Sequence, residues 1–151
     1  MVHLPDEIDF VTAASLGCRF ITSFRAVIDQ GKVSAGQWVA VHGCGEVGFS
    51  AINIAAIAGA NVIAVDLVKK LGATVIIIAK KEESVSSKIR IQTGCGTHVS
   101  VDTLRSQETC FNSVSRLRKR GKHIQVGLTT DDHKHPFVSM DKYSSRAGNF
   151  R

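Results

Sequence analysis

The chain switches between short stretches that are apolar almost without interruption and longer ones in which apolar residues return every three or four positions. The first kind falls at 37–42, 61–66, 73–79, 98–104 and 123–128, rich in valine and isoleucine. A strand with one wet face alternates polar and apolar residues. A continuous β-branched run is the pattern of a strand covered on both faces, as in a parallel sheet. The second kind, at 46–59, 82–92 and 107–119, predicts helices between those strands. Strand and helix in alternation predict an α/β fold with a doubly wound, mostly parallel sheet, a Rossmann-like arrangement. Residues 7–30 read as one leading helix with an apolar stripe of Phe10, Ala14, Leu16, Phe20, Phe24 and Ile28, stopped at Gly31. Three regions follow from this pattern: a helical lead-in at 1–30, an α/β domain at 31–128, and a polar tail at 129–151, expected to pack poorly.

One junction departs from the pattern. A parallel crossover takes a dozen or more residues, usually including a helix. Only Leu67 to Ala73 separate the second and third strand runs. The second crossover is therefore shortened: either one cramped helical turn joins the strands, or they pair in another way.

The chemistry concentrates where the first strand meets its helix. Gly43-Cys44-Gly45-Glu46-Val47-Gly48 is a G-x-G-x-x-G between strand and helix, and Asp66 ends the next strand 23 residues after Gly43. In such a device the first glycine allows the turn, the second lets a pyrophosphate approach the backbone, and the third lets the helix pack close to the sheet. The helix N-terminus then offers free N–H groups and positive dipole to the anion. An acid at the Asp66 position accepts from a ribose 2′-hydroxyl and repels a 2′-phosphate, which favours NAD over NADP.

Composition adds limits. The 151 residues suffice for one domain, and 44% apolar with 21% charged is ordinary for a soluble globular protein. No run is long and apolar enough to span a membrane, and the acidic start lacks a signal peptide's features, so a cytoplasmic protein is expected. Cys18, Cys44, Cys95 and Cys110 are widely spaced and expected to be free thiols. Cys95 and His98 have ligand-like spacing but lack companions for a zinc site. The formal charge of +6 is concentrated in Arg116-Leu117-Arg118-Lys119-Arg120-Gly121-Lys122. These cations read as a helix C-terminus capped by Gly121, where they complement the dipole. No aromatic residues interleave to stack bases, so no nucleic-acid partner is expected.

Phe10 to Ala26, Gly31 to Ala51, Gly94 to Asp102 and Gly121 to Leu128 together resemble the zinc-type alcohol dehydrogenases of the medium-chain dehydrogenase/reductase superfamily. The resemblance implies a truncated cofactor-binding domain of an oxidoreductase that moves hydride between an alcohol and NAD. It implies that Cys18 stands at one catalytic zinc ligand and Thr22 at the nicotinamide pocket. It places Gly43, Gly45, Glu46, Val47 and Gly48 in the pyrophosphate loop and Asp66 on the ribose. Thr103, Val126, Gly127 and Leu128 fall at strand ends bordering the cofactor. The family's catalytic domain, other zinc ligands and sixth strand have no counterpart here, and Arg105 replaces the usual glycine. A chain of this kind is expected to bind NAD, not to hold zinc alone, and to lack a complete catalytic centre. Its alcohol or aldehyde substrate and any oligomer would belong to the full-length protein. The competing reading is a non-catalytic module that binds a dinucleotide or pairs with another protein through an open sheet edge.

Overall fold

A computed structural model describes residues 3–65, 73–77, 85–104 and 106–127. Within them the elements run α1 (Phe10–Ser15), α2 (Cys18–Phe24), β1 (Trp38–His42), α3 (Glu46–Ile57), β2 (Asn61–Val65), β3 (Val75–Ile77), α4 (Val85–Thr93), β4 (Thr97–Asp102), α5 (Gln107–Ser115) and β5 (Leu117–Gln125). The five described strands form one sheet in the order β3-β2-β1-β4-β5, and every pair is parallel. The doubly wound expectation is thus met. The junction after Asp66 also resolves: Ile63 to Val65 lie beside Val75 to Ile77 in ordinary parallel register. The connecting residues 66–72, with Asp66 itself, lie outside the described residues, as do Arg105 and the tail at 129–151.

The two faces of the sheet differ in chemistry. On one, Val39, Val41, Val62, Ala64, Val99 and Val101 pack under α3, which contributes Ala51, Ile52, Ile54 and Ala55. On the other, Ala40, Ile63, Val65 and Ile77 meet Ile89 of α4. Next to that small apolar cluster the same face turns polar beside α5: Ser100, Asp102 and Ser113 are fully buried. Coverage on both sides explains why these strands read as unbroken apolar runs.

Three expectations need correction. The leading helix is not continuous. Asp9 caps α1 by accepting from the Thr12 N–H at 2.7 Å, and the helix stops at Leu16 before Gly17. After α2 the chain winds into a π-helical stretch, Arg25–Gln30, in which the Gly31 N–H reaches back five residues to Ala26 O at 2.9 Å. The break shifts the helical phase, so Phe10 and Phe24 face solvent while Ala26 and Val27 enter the core. Second, α5 ends at Ser115. The basic run after it belongs to β5, where Lys122 lies opposite Val99, because a place beside β4 outweighs local helix preference. The dipole argument therefore does not account for these cations. Third, Gly121 is not a left-handed cap. Arg120 carries the positive φ of 65°, and Gly121 is small because a Cβ there would lie 2.9 Å from Thr97 O.

Candidate anion-binding site at the sheet's carboxyl edge

Strand order reverses between β1 and β4, which leaves a crevice beyond their carboxyl ends. The turn from β1 into α3 sits there. Gly43 has φ of +88°, and its N–H donates to Val65 O at 3.2 Å. A Cβ at Gly43 would lie 2.6 Å from Leu104 Cγ, and one at Gly48 would lie 1.9 Å from Gly43 O. Both glycines are therefore demanded by the protein's own packing. Gly45 is different. Its φ of −67° and ψ of −172° are open to any residue, and a Cβ there would meet no atom within 4 Å. It is the N-cap of α3 without a side-chain cap. The space in front of it adjoins the free N–H groups of the helix's first turn, which suits an anion's oxygens.

β4 braces this turn. The Thr103 N–H donates to His42 O at 3.0 Å, and the Thr103 hydroxyl lies 2.9 Å from His42 O and 3.1 Å from Gly43 O. The N–H groups of Val126 and Gly127 donate to Asp102 O at 2.8 and 3.1 Å. A Cβ at Gly127 would lie 2.0 Å from Leu104 O. Gly43, Gly45, Gly48, Thr103, Val126 and Gly127 thus gather at one edge. Leu128 and Asp66 lie outside the described residues.

Helix α2 reaches the edge through a residue that the sequence did not single out. Ser23 is fully buried, and its hydroxyl lies 2.7 Å from Val47 O and 2.8 Å from Arg19 O. A serine inside an apolar helical face was the available signal. Thr22 is its half-buried neighbour. Glu46 extends to solvent and pairs with Arg19 at 3.6 Å, an exposed contact worth at most about 1 kcal/mol. Leu104, likewise unforeseen, walls the turn through its contact with Gly43.

Cys18 begins α2 and is exposed, not buried as an inert core thiol would be. None of the four cysteines forms a disulfide. Among the described residues no three His, Cys, Asp or Glu side chains cluster closely enough to hold a metal. His98 is not left to join Cys95 as a ligand: Nδ1 takes the Trp38 N–H at 3.1 Å, and Nε2 faces Arg118 Nη1 at 2.7 Å.

Beneath the edge lies the buried polar layer. Ser100 and Ser113 hydroxyls meet at 2.6 Å, Ser113 Oγ is 2.9 Å from His123 Nδ1, and His123 Nε2 is 3.1 Å from Gln125 Oε1. The Gln125 amide donates to Gly127 O at 2.9 Å, linking this chain of bonds to the edge. Asp102 Oδ1 accepts the Leu104 N–H at 2.9 Å, while burial pushes its carboxyl's pKa up. Burial first, and then the positive charges of Arg116 and His123, push His42 down to about 3, so its ring is neutral at ordinary pH. Burial likewise lowers His123.

Residues 47–147 match the model of a family described as zinc-binding dehydrogenase. An alcohol dehydrogenase of Geobacillus stearothermophilus is 31% identical over 139 residues, covering 87% of this chain and 40% of the relative. An NAD-dependent alcohol dehydrogenase of Sulfurisphaera tokodaii is 32% identical over 142 residues, covering 87% and 41%. Among solved structures, benzyl alcohol dehydrogenase from Acinetobacter calcoaceticus superimposes with a TM-score of 0.84 at 28% identity, covering 96% of this chain and 42% of that one. The chain thus spans about 40% of the length of the curated relatives it matches.

Proposed function

We propose that this chain, which belongs to the zinc-binding dehydrogenase family, binds NAD at the carboxyl edge of its sheet. We further propose that it supplies the cofactor-holding part of an enzyme that oxidises an alcohol or reduces an aldehyde. The observation that carries this reading is Gly45. Neither its backbone angles nor its neighbours require a glycine, and the space its missing side chain leaves open faces the start of α3. A diphosphate brought against that backbone gives the glycine a reason. NAD, when bound, supplies the hydride acceptor for an alcohol carbon.

The chain's own residues bind and orient. Gly43 and Gly48 let α3 begin close against the turn, so its first N–H groups aim at the diphosphate. Thr103 holds the carbonyls of His42 and Gly43, fixing the turn's shape before ligand arrives. Val126 and Gly127, tied to Asp102 O, border the cofactor on the β5 side. Thr22 on α2 lies next to the Ser23 anchor and is assigned to the nicotinamide end. Asp66 is assigned to the ribose hydroxyls, and Leu128 to the cofactor border beside Gly127.

Among the described residues, zinc has no fitting site. An exposed Cys18 by itself cannot make a catalytic site, which takes three protein ligands and an open position. No reaction step is assigned to this chain through a metal.

Isothermal titration of the chain with NAD tests the proposal. Saturable binding is expected, and a folded sample that takes up no NAD would refute it. Added zinc and a primary alcohol are expected to yield no NADH, and steady turnover would overturn the claim of an incomplete centre.

A further inference from the structure

At the opposite, amino-terminal end of the sheet, the displaced cations meet. A cavity of about 90 Å³ lies between the end of the π-helical stretch and the starts of β1, β4 and β5. Its lining includes Lys32, Gln37, His98, Arg118, Arg120 and Lys122, with no carboxylate among the described lining residues. Four solvent-exposed cations border one small space and give it a positive potential.

A second observation is independent of charge. Among the described residues only Lys32, at φ 51°, and Arg120, at φ 65°, adopt positive φ without being glycine. Both line this cavity. Lys32 ends the helical lead-in, where the Val33 N–H donates to Val27 O at 3.1 Å, and Arg120 lies where the register of β5 shifts against Thr97 to Val99; the two bends fix the backbone on either side of this space. The surroundings help fix the shape. Lys122 Nζ donates to Gly31 O at 3.1 Å, which ties β5 to the end of the helical lead-in. Arg118 Nη1 lies 2.7 Å from His98 Nε2, and burial and then that guanidinium lower the pKa of the ring.

We propose that this cavity is a second anion site, for a phosphate-class oxyanion, separate from the glycine turn at the other end of the sheet. The space, about 90 Å³, is enough for one tetrahedral oxyanion. Guanidinium groups match phosphate oxygens in pairs, and Lys32 and Lys122 add point charges. A concave space without aromatic lining fits a compact ion better than a polymer whose bases need stacking.

The test is titration of the ¹⁵N-labelled full chain with inorganic phosphate at constant ionic strength. Saturable shifts are expected at the amides of Lys32, His98, Val99 and Arg118 to Lys122. Arg118→Gln and Arg120→Gln should each weaken binding about tenfold, the loss of one charge-assisted contact. Lys119→Gln removes the same charge from the same strand but does not touch the cavity, and should leave affinity unchanged. Shifts confined to Gly43–Gly48, or equal weakening by Lys119→Gln, would overturn the proposal. So would a single-stranded oligonucleotide moving these amides when phosphate does not, which would assign the patch to a nucleic-acid strand.

Discussion

Gly45→Ser separates what the fold needs from what the ligand needs. The serine adopts the glycine's backbone angles without strain, and its side chain enters space free of protein atoms. Losing glycine's freedom in the unfolded chain stabilises by about 0.4–1 kcal/mol. Serine is also the better N-cap by a few tenths. Together these come to about 1 kcal/mol, or a rise in melting temperature of about 2–4 °C for a chain this size. The same side chain stands where the diphosphate would approach, so the Kd for NAD should rise at least about tenfold, which is about 1.4 kcal/mol. At NAD one hundred times the parent Kd, ligand stabilisation would fall from about 2.7 to about 1.4 kcal/mol. Thermal melts with and without NAD read both effects in one experiment, and calorimetric titration gives the Kd directly. A variant that melts higher and binds NAD as before would refute the assignment of Gly45. A variant that melts lower would show that the protein itself demands this glycine.

Other perturbations give distinct outcomes. Gly48→Ala places a methyl 1.9 Å from Gly43 O, so α3 must lift; a loss of about 1–3 kcal/mol in urea unfolding and loss of NAD binding are expected, and parent-like stability would contradict the packing. His42 titrates near 6.5 when unfolded and at about 3 when folded, so its contribution is complete above pH 6.5 and declines as pH falls toward 3. Between pH 7 and 5 this amounts to about 2 kcal/mol, and His42→Gln should lose that part of the slope; an unchanged slope would count against it. Ser113→Ala takes a partner from the buried Ser100 hydroxyl and from His123 at once, for about 1–3 kcal/mol. The Ser100→Ala/Ser113→Ala pair should cost less than the sum, and strict additivity would speak against the network.

Much of this protein was legible from local pattern. Period and run length separate strands from helices because burial on two faces leaves no room for polar alternation, so β1, β2, β4 and α3 fall where the sequence places them. The glycine motif was legible for a related reason: a missing side chain is a statement about space, and the structure shows the space at Gly43 and Gly48 taken by named atoms. What tertiary structure decided were the choices in which a local preference competed with a distant partner. The basic run after Ser115 follows a place beside β4, not the helix dipole, because sheet hydrogen bonds and the contacts at Thr97 and Val99 exist only once the strands meet. The buried serines, His42 and His123 could not be ranked by sequence either. A polar side chain in an apolar run is costly or harmless depending on a partner, and Ser100 finds its partner at Ser113 only through the packing of α5 on the sheet.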